Sequence, residues 1–389
     1  MVFGRRRKRV THRRRTHDWA ETKLMRGDVL RVIAHDAFPA DAAGNRLPLP
    51  EDFVMGVGGA TRTLLDLLPP GHVGRALDIG CGSGALAVVL DADRVIATDI
   101  DDRALEAAEV TCHISGFRKM EPRVWREGDR LIEFRQGSLL DPVQGQRFDL
   151  IVSNPPFVIG GVGHTHRDSP FEADGLTREL LAGIPPLLNN RGRAIVLASW
   201  LHVVGEDWQD RIAAWLPDDV SAWVAQREFL DLDEYVEVWG SDAGLADADR
   251  AAWRERLGEL GAEGVGFGWI ILERGPSVWR MIEDVSDAPR VPMGIEVTQQ
   301  LAAFASEPTA LDLLHTPMEF RATHWRGNLA LDPFSAALLG ALREGLTLAS
   351  AVDRVAATLP VDADDLMIVA LQFARGAVQL GYLTLPPTP

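Results

Sequence analysis

Between residues 75 and 100 the chain sets short apolar runs against glycine and acid. Ala76, Leu77 and Ile79 read as a buried strand that runs into Gly80-Cys81-Gly82-Ser83-Gly84. Residues 85–90, Ala-Leu-Ala-Val-Val-Leu, read as a helix, and Val95-Ile-Ala-Thr98 as a second strand ending on Asp99. This is the opening βαβ of a doubly wound sheet, a fold that receives ligands beyond the carboxyl ends of its strands. Further strands are expected at Ile132–Gln136, Phe148–Ser153, Arg193–Ala198, Ser221–Gln226 and Gly264–Leu272. Helices are expected at Thr61–Leu68, Asp102–Ile114, Thr177–Leu188 and Glu206–Trp215, with a polar helical insertion over residues 228–262. Such alternation predicts an α/β fold with a parallel sheet.

The pattern changes on either side of this block. Residues 1–50 read as a disordered basic tail and an ill-defined lead-in, and residues 51–275 as the α/β domain. Residues 276–330 lose periodicity and read as a linker or irregular segment. Residues 331–389 regain helical spacing at Phe334–Leu342, Leu348–Leu359 and Met367–Leu380, and Gly381–Leu385 closes as a short strand. Three helices with a terminal strand suggest a small, mainly helical module in the manner of a winged helix.

An apolar content of 46% is enough for an ordinary globular core, and no apolar run is long enough to span a membrane. No apolar signal region follows the basic start. Cys81 and Cys112 do not suggest a disulfide framework, so a reducing cytoplasm is the expected compartment. Residues 1–15 hold eight of the Lys and Arg residues and no acid, which leaves the remaining chain at −24. So acidic a body does not read as a duplex-binding surface. The tail either touches a polyanion by counterion release, is simply solvated, or lies upstream of the true start.

Asp78-x-Gly80-x-Gly82-x-Gly84 differs from the dinucleotide fingerprint, which receives a diphosphate. A carboxylate ahead of the turn suits a ligand that carries a positive group there. S-adenosylmethionine carries an ammonium and a sulfonium and no phosphate. At residues 50–275 the chain resembles the class I S-adenosylmethionine-dependent methyltransferases. That resemblance implies a seven-stranded, Rossmann-like sheet whose last strand, antiparallel, falls at residues 265–272. It also implies a donor site of Asp78, Gly80, Cys81, Gly82, Gly84, Asp99, Ile100, Ser138, Leu139, Asp141 and Asn154. Asp99 lies 21 residues after Asp78, close to the interval at which such folds set an acid on ribose hydroxyls. Asp141 is the candidate for the adenine, or is a turn-capping Asp. Gly56, Gly58 and Gly59 allow a close approach to the donor, or make a tight turn.

The fourth expected strand ends on Asn154-Pro155-Pro156-Phe157. This resembles the signature of methyltransferases that modify nitrogen in a planar system. An amide or aryl amino nitrogen is a poor nucleophile because its lone pair is delocalised. The side-chain oxygen of Asn154 and the carbonyl of Pro155 can each accept one of its N–H groups and turn the lone pair towards the methyl, which is catalysis by orientation. The prolines fix the loop, and Phe157 offers a face for the planar group. Residues 158–175, with four glycines, read as a substrate lid. Within it His164 and His166 make no convincing metal set, and Arg167 and Asp168 are substrate contacts or a local ion pair. Trp200 lines the pocket or belongs to the core.

The expected function is nitrogen methylation, with a protein or peptide glutamine or asparagine as acceptor. A nucleobase amino group in RNA or DNA, or a small molecule of specialised metabolism, stands beside it. The branch most resembled holds the release-factor glutamine methyltransferases and the ribosomal guanine-N2 methyltransferases. No membrane partner is expected, and oligomeric state is not legible.

Overall fold

The computed structural model describes residues 19–386 apart from 42, 45, 46, 48, 51, 161–172, 307, 321–324, 327–330 and 359–362. The expected basic tail falls outside the described residues, as do His164, His166, Arg167 and Asp168.

The lead-in differs from the sequence reading. Strands β1 (Ala20–Arg26) and β2 (Val29–His35) form an antiparallel hairpin around Gly27-Asp28, with Gly27 at φ +56°. A two-residue loop with glycine in the left-handed region is a hairpin signal, and here it joins strands with partly alternating burial. Helix α1 (Gly59–Leu67) and strand β3 (Val73–Ile79) follow. Along β3 successive side chains enter opposite layers: Ala76 joins the core on one face of the sheet, Leu77 and Ile79 that on the other.

Residues 85–90 are not the helix expected of them. They are a buried run of turns held by the Val88 N–H on the Gly84 carbonyl (3.1 Å) and the Leu90 N–H on the Leu86 carbonyl (3.0 Å). Strand β4 (Ala92–Asp99) begins two residues later. Helix α2 (Asp102–Ile114) is capped by the Asp101 side chain on the Arg103 N–H. The hairpin docks on α2, where the Val32 N–H meets Ser115 Oγ at 3.0 Å and the Ala34 N–H meets Thr111 Oγ1 at 2.9 Å.

Strands β5 (Arg118–Glu121), β6 (Val124–Glu127), β7 (Arg130–Gln136) and β8 (Phe148–Ser153) come next, then α3 (Gly175–Gly183), β9 (Leu188–Val203) and α4 (Trp208–Ala213). Strand β10 (Ser221–Asp231) leads into helices α5 (Leu232–Asp242) and α6 (Asp247–Glu259), and β11 (Ala262–Glu273) returns. The sheet has ten described strands in the order β12-β10-β11-β9-β8-β3-β4-β7-β6-β5, where β12 is Arg280–Asp284. Its centre is parallel, and β11 runs antiparallel to both neighbours. The seven expected strands are therefore present, widened by β5 and β6 at one edge and β12 at the other.

Residues 276–330 are correspondingly more than a linker. Besides β12 they contain α7 (Gly294–Phe304), α8 (Ala310–His315) and β13 (Glu319–Phe320). Phe304 and Trp325 enter the main core, and Gly294 lies so close to the Leu68 carbonyl that a Cβ there would clash. Helices α9 (Pro333–Arg343), α10 (Leu348–Ala356) and α11 (Ala363–Gln379) and strand β14 (Leu383–Thr384) share a separate core with α8, and β14 pairs with β13.

Candidate active site

The carboxyl ends of β3, β4 and β8 open into a cleft of about 1030 Å³. Its floor is the glycine turn. Gly80 and Gly82 take φ of +68° and +51°, and a Cβ on either would project into open space. They give a ligand access to bare backbone. Gly84 serves differently: at φ +76° it would drive a Cβ to 2.9 Å from Ala108 of α2, so it packs the turn against that helix and stays out of the cleft.

Asp99, at the end of β4, lines the cleft and also binds the turn. Its Oδ2 accepts the Gly82 N–H at 2.8 Å, and its Oδ1 accepts the Asp101 N–H at 3.0 Å. Burial raises its carboxyl above the ordinary range, and those backbone bonds pull the other way. Each oxygen keeps a lone pair for a ligand hydroxyl.

Asp78 lies beneath the turn, fully buried, and neither of its oxygens has a hydrogen-bond partner among the described residues. Burial, reinforced by the Asp99 charge, pushes its carboxyl up to about 7. The Ala87 N–H pulls weakly the other way without reaching hydrogen-bond geometry. An orphaned buried acid is costly to keep unless something positive completes it. The bare glycine cradle and Asp99 fit a ligand with ribose hydroxyls, such as S-adenosylmethionine, while Asp78 lies outside the cleft lining. Cys81 is buried at the cleft floor, and burial holds its thiol well above the usual range, so it is no nucleophile at neutral pH.

At the end of β8, the strand next to β3, Asn154, Pro155, Pro156 and Phe157 all line the cleft. Asn154 Oδ1 is buried and has no hydrogen-bond partner among the described residues. Ser153 Oγ holds the Ile79 carbonyl at 3.0 Å, and Ser199 Oγ holds the Phe157 carbonyl at 2.7 Å. These bonds fix the loop to β3 on one side and β9 on the other.

Ile100, Ser138 and Leu139 line the cleft as expected, and so do Gly58 and Gly59. Gly56 lines it too, but its place is set by packing, since a Cβ would meet the His35 ring at 2.7 Å. Asp141 is exposed, begins a short 3-10 turn, and does not reach the cleft. Its turn-forming role prevails: its N–H bonds the Ser138 carbonyl at 3.0 Å. Trp200 is a core residue, stacked on Trp208 with its Nε1 on Gln226 Oε1 at 3.1 Å.

Sequence reasoning missed two contributors. Phe53, Val54 and Met55 line the cleft, and so do Val238, Trp239 and Asp242 of α5. The only available signal for the second set was the helical spacing of aromatic and apolar positions in the insertion. Asp99, Asp101 and Asp242 line the cleft, and among the described residues no Lys, Arg or His does.

Residues 55–198 match the family model described as the methyltransferase small domain. The chain is 33% identical over 141 residues to a release factor glutamine methyltransferase of Xylella fastidiosa, covering 32% of this chain and 47% of that protein. It is 35% identical over 114 residues to ribosomal RNA small subunit methyltransferase C of Cronobacter sakazakii, covering 28% of each. It is 32% identical over 177 residues to a ribosomal protein uL3 glutamine methyltransferase of Bordetella pertussis, covering 42% of this chain and 53% of that protein. The chain thus spans about half the length, or less, of these relatives. Residues 55–198 thus match a methyltransferase small domain, and the glycine cradle with Asp99 fits S-adenosylmethionine as the methyl donor.

Proposed function

We propose that the chain methylates the side-chain amide nitrogen of glutamine or asparagine in a protein. The observation that carries this reading is the unpartnered Oδ1 of Asn154, a buried acceptor facing a cleft that offers carboxylates and no described cation. A primary amide brings two N–H groups. Asn154 Oδ1 takes one and the Pro155 carbonyl the other, which turns the nitrogen lone pair into the cleft. S-adenosylmethionine, when bound, supplies an electrophilic methyl on a sulfonium. The nitrogen gains the methyl, the C–S electron pair stays on sulfur, and the nitrogen gives up one proton to solvent. Asn154 needs no basicity for this; its task is to hold the amide in one orientation. Phe157 presents its ring to the planar group.

The acidity of the cleft separates amide from nucleic acid. Phosphates brought beside Asp101 and Asp242 would meet repulsion, and no described cation at the cleft offsets it. The basic residues 1–15 favour a second reading, methylation of a nucleobase amino group in RNA. Labelled methyl transfer into fractionated lysate tests both. Label in protein, mapped by peptide sequencing to glutamine or asparagine, is expected. Label in RNA that falls steeply with salt and disappears on deletion of residues 1–15 would replace the first reading with the second.

A further inference from the structure

The β10–β11 insertion grips the catalytic loop from outside the cleft. Tyr235 of α5 and Trp253 of α6 are fully buried. The Ile159 N–H donates to Tyr235 Oη at 2.7 Å, and the Ile159 carbonyl accepts from Trp253 Nε1 at 3.1 Å. Tyr235 Oη approaches the same carbonyl at 3.4 Å. One residue on, the Gly160 carbonyl accepts from Arg256 at 3.1 Å. Gly160 takes φ +66°, and a Cβ there would press on Leu257 and Trp253 of α6. Both polar groups of the Ile159 peptide are thus satisfied by side chains 76 and 94 residues away.

The same helix reaches the cleft. Trp239, one turn beyond Tyr235, meets the edge of Phe157 with ring centroids 5.4 Å apart at 73°, and Phe267 supports both rings. Val238, Trp239 and Asp242 all line the cleft, and Trp239 does so beside Phe157. Val238 is 48% exposed although it is apolar. Residues at i, i+3, i+4 and i+7 lie on one helical face, so a single face of α5 both holds the loop and lines the cleft.

We propose that the α5–α6 insertion is the acceptor-side scaffold of this enzyme. Tyr235 and Trp253 act as positioning residues that set the Asn154-Pro155-Pro156-Phe157 loop, and Val238 and Trp239 form the wall against which the acceptor polypeptide lies. The inference rests on the amide-methylation reading for the nature of that acceptor. Alignment of the nucleophile is what the loop contributes, so loosening it slows transfer and leaves donor binding alone. A change at that wall acts on acceptor binding instead.

The test uses the full chain, S-adenosylmethionine, and two panels of acceptors: synthetic peptides with one central glutamine, and single-stranded RNA oligonucleotides. Tyr235→Phe is expected to lower kcat at least tenfold, with acceptor KM and donor Kd within about threefold. Val238→Arg is expected to show the opposite split, acceptor KM up at least tenfold with kcat and donor Kd within about threefold. Amide hydrogen exchange gives a readout that needs no acceptor. In Tyr235→Phe residues 157–160 should exchange at least tenfold faster while β3 exchanges as before. Trp253→Phe, which removes the other bond, should show the same exchange pattern. Transfer to peptides at parental kcat and KM in both variants overturns the scaffold and leaves the amide reading standing. Transfer to RNA and never to peptides overturns the amide reading, and the same splits on RNA then judge the scaffold. Unchanged exchange at 157–160 overturns the scaffold whatever the acceptor.

Discussion

The glycine turn on the proposed donor side of the cleft is held by groups near one another in sequence, and the Asn154 loop on the proposed acceptor side by groups far apart. Gly82, Asp99 and Asp101 bond one another within 19 residues, and Gly84 packs on a helix that starts just after them. The Asn154 loop instead takes its bonds from Ile79, Ser199, Tyr235 and Trp253, up to 94 residues distant. A site folded from one βαβ unit carries its chemistry in a short motif. A wall assembled from several elements can change its acceptor by changing one insertion while the donor floor stays fixed.

The largest expected effect falls on the acceptor side. Asn154→Ala should slow single-turnover methyl transfer by about 10²-fold or more, since one misplaced orienting contact has that weight. Donor affinity by calorimetry should change less than about threefold. Asn154→Asp keeps an acceptor oxygen in place and should retain part of the rate. Should Asn154→Ala transfer at the parental rate, the two walls would not divide the work as described.

A smaller effect is expected on the donor side. Asp99→Ala removes a charged acceptor and also frees the Gly82 N–H, so donor binding should weaken by about 1.5–3 kcal/mol. Calorimetry on a variant with parental circular dichroism decides it, and an unchanged Kd would remove Asp99 from the donor site. Asp99→Ala and Asn154→Ala should also separate cleanly, the first acting on Kd and the second on rate.

The same contrast explains what the sequence made legible. Periodicity marked the central strands because a parallel strand buried on both faces reads as a continuous apolar run. Asp78 to Asp99 was readable because the glycine turn needs those residue types at that spacing. Residues 85–90 misled because an all-buried run has no polar face to separate a helix from turns. The hairpin at Ala20–His35 went unread although Gly27-Asp28 marks its turn, since its strands bury only a few side chains, against α2 and the adjoining core. The part played by Tyr235, Val238 and Trp239 was hidden because their partners, Ile159 and Phe157, are distant in sequence and no local pattern records the meeting.

The finest test concerns Asp78, the buried acid beneath the glycine turn. Its carboxyl is pushed up to about 7 by burial and by Asp99, while an unfolded chain would titrate it near about 3.9. Below about pH 4 both states hold the proton and Asp78 is neutral to stability. Between there and about pH 7 only the unfolded chain gives its proton up, so stability falls as pH rises, and above that it levels off. Asp78→Asn should lose this dependence, with a melting temperature above the parental one at pH 8 and equal to it near pH 4. A cation arriving beside the carboxyl lowers its pKa again. At pH 6, below the raised pKa, the ligand-free protein holds the proton at most sites, so a cation arriving with S-adenosylmethionine should release part of it. Titration calorimetry in phosphate and in bis-Tris reads that release as a difference in apparent enthalpy. The difference should vanish in Asp78→Asn. Equal enthalpies in the two buffers for the parental chain would mean that the positive end of the donor does not lie against Asp78, and the glycine cradle would then have to be fitted to the ligand in another orientation.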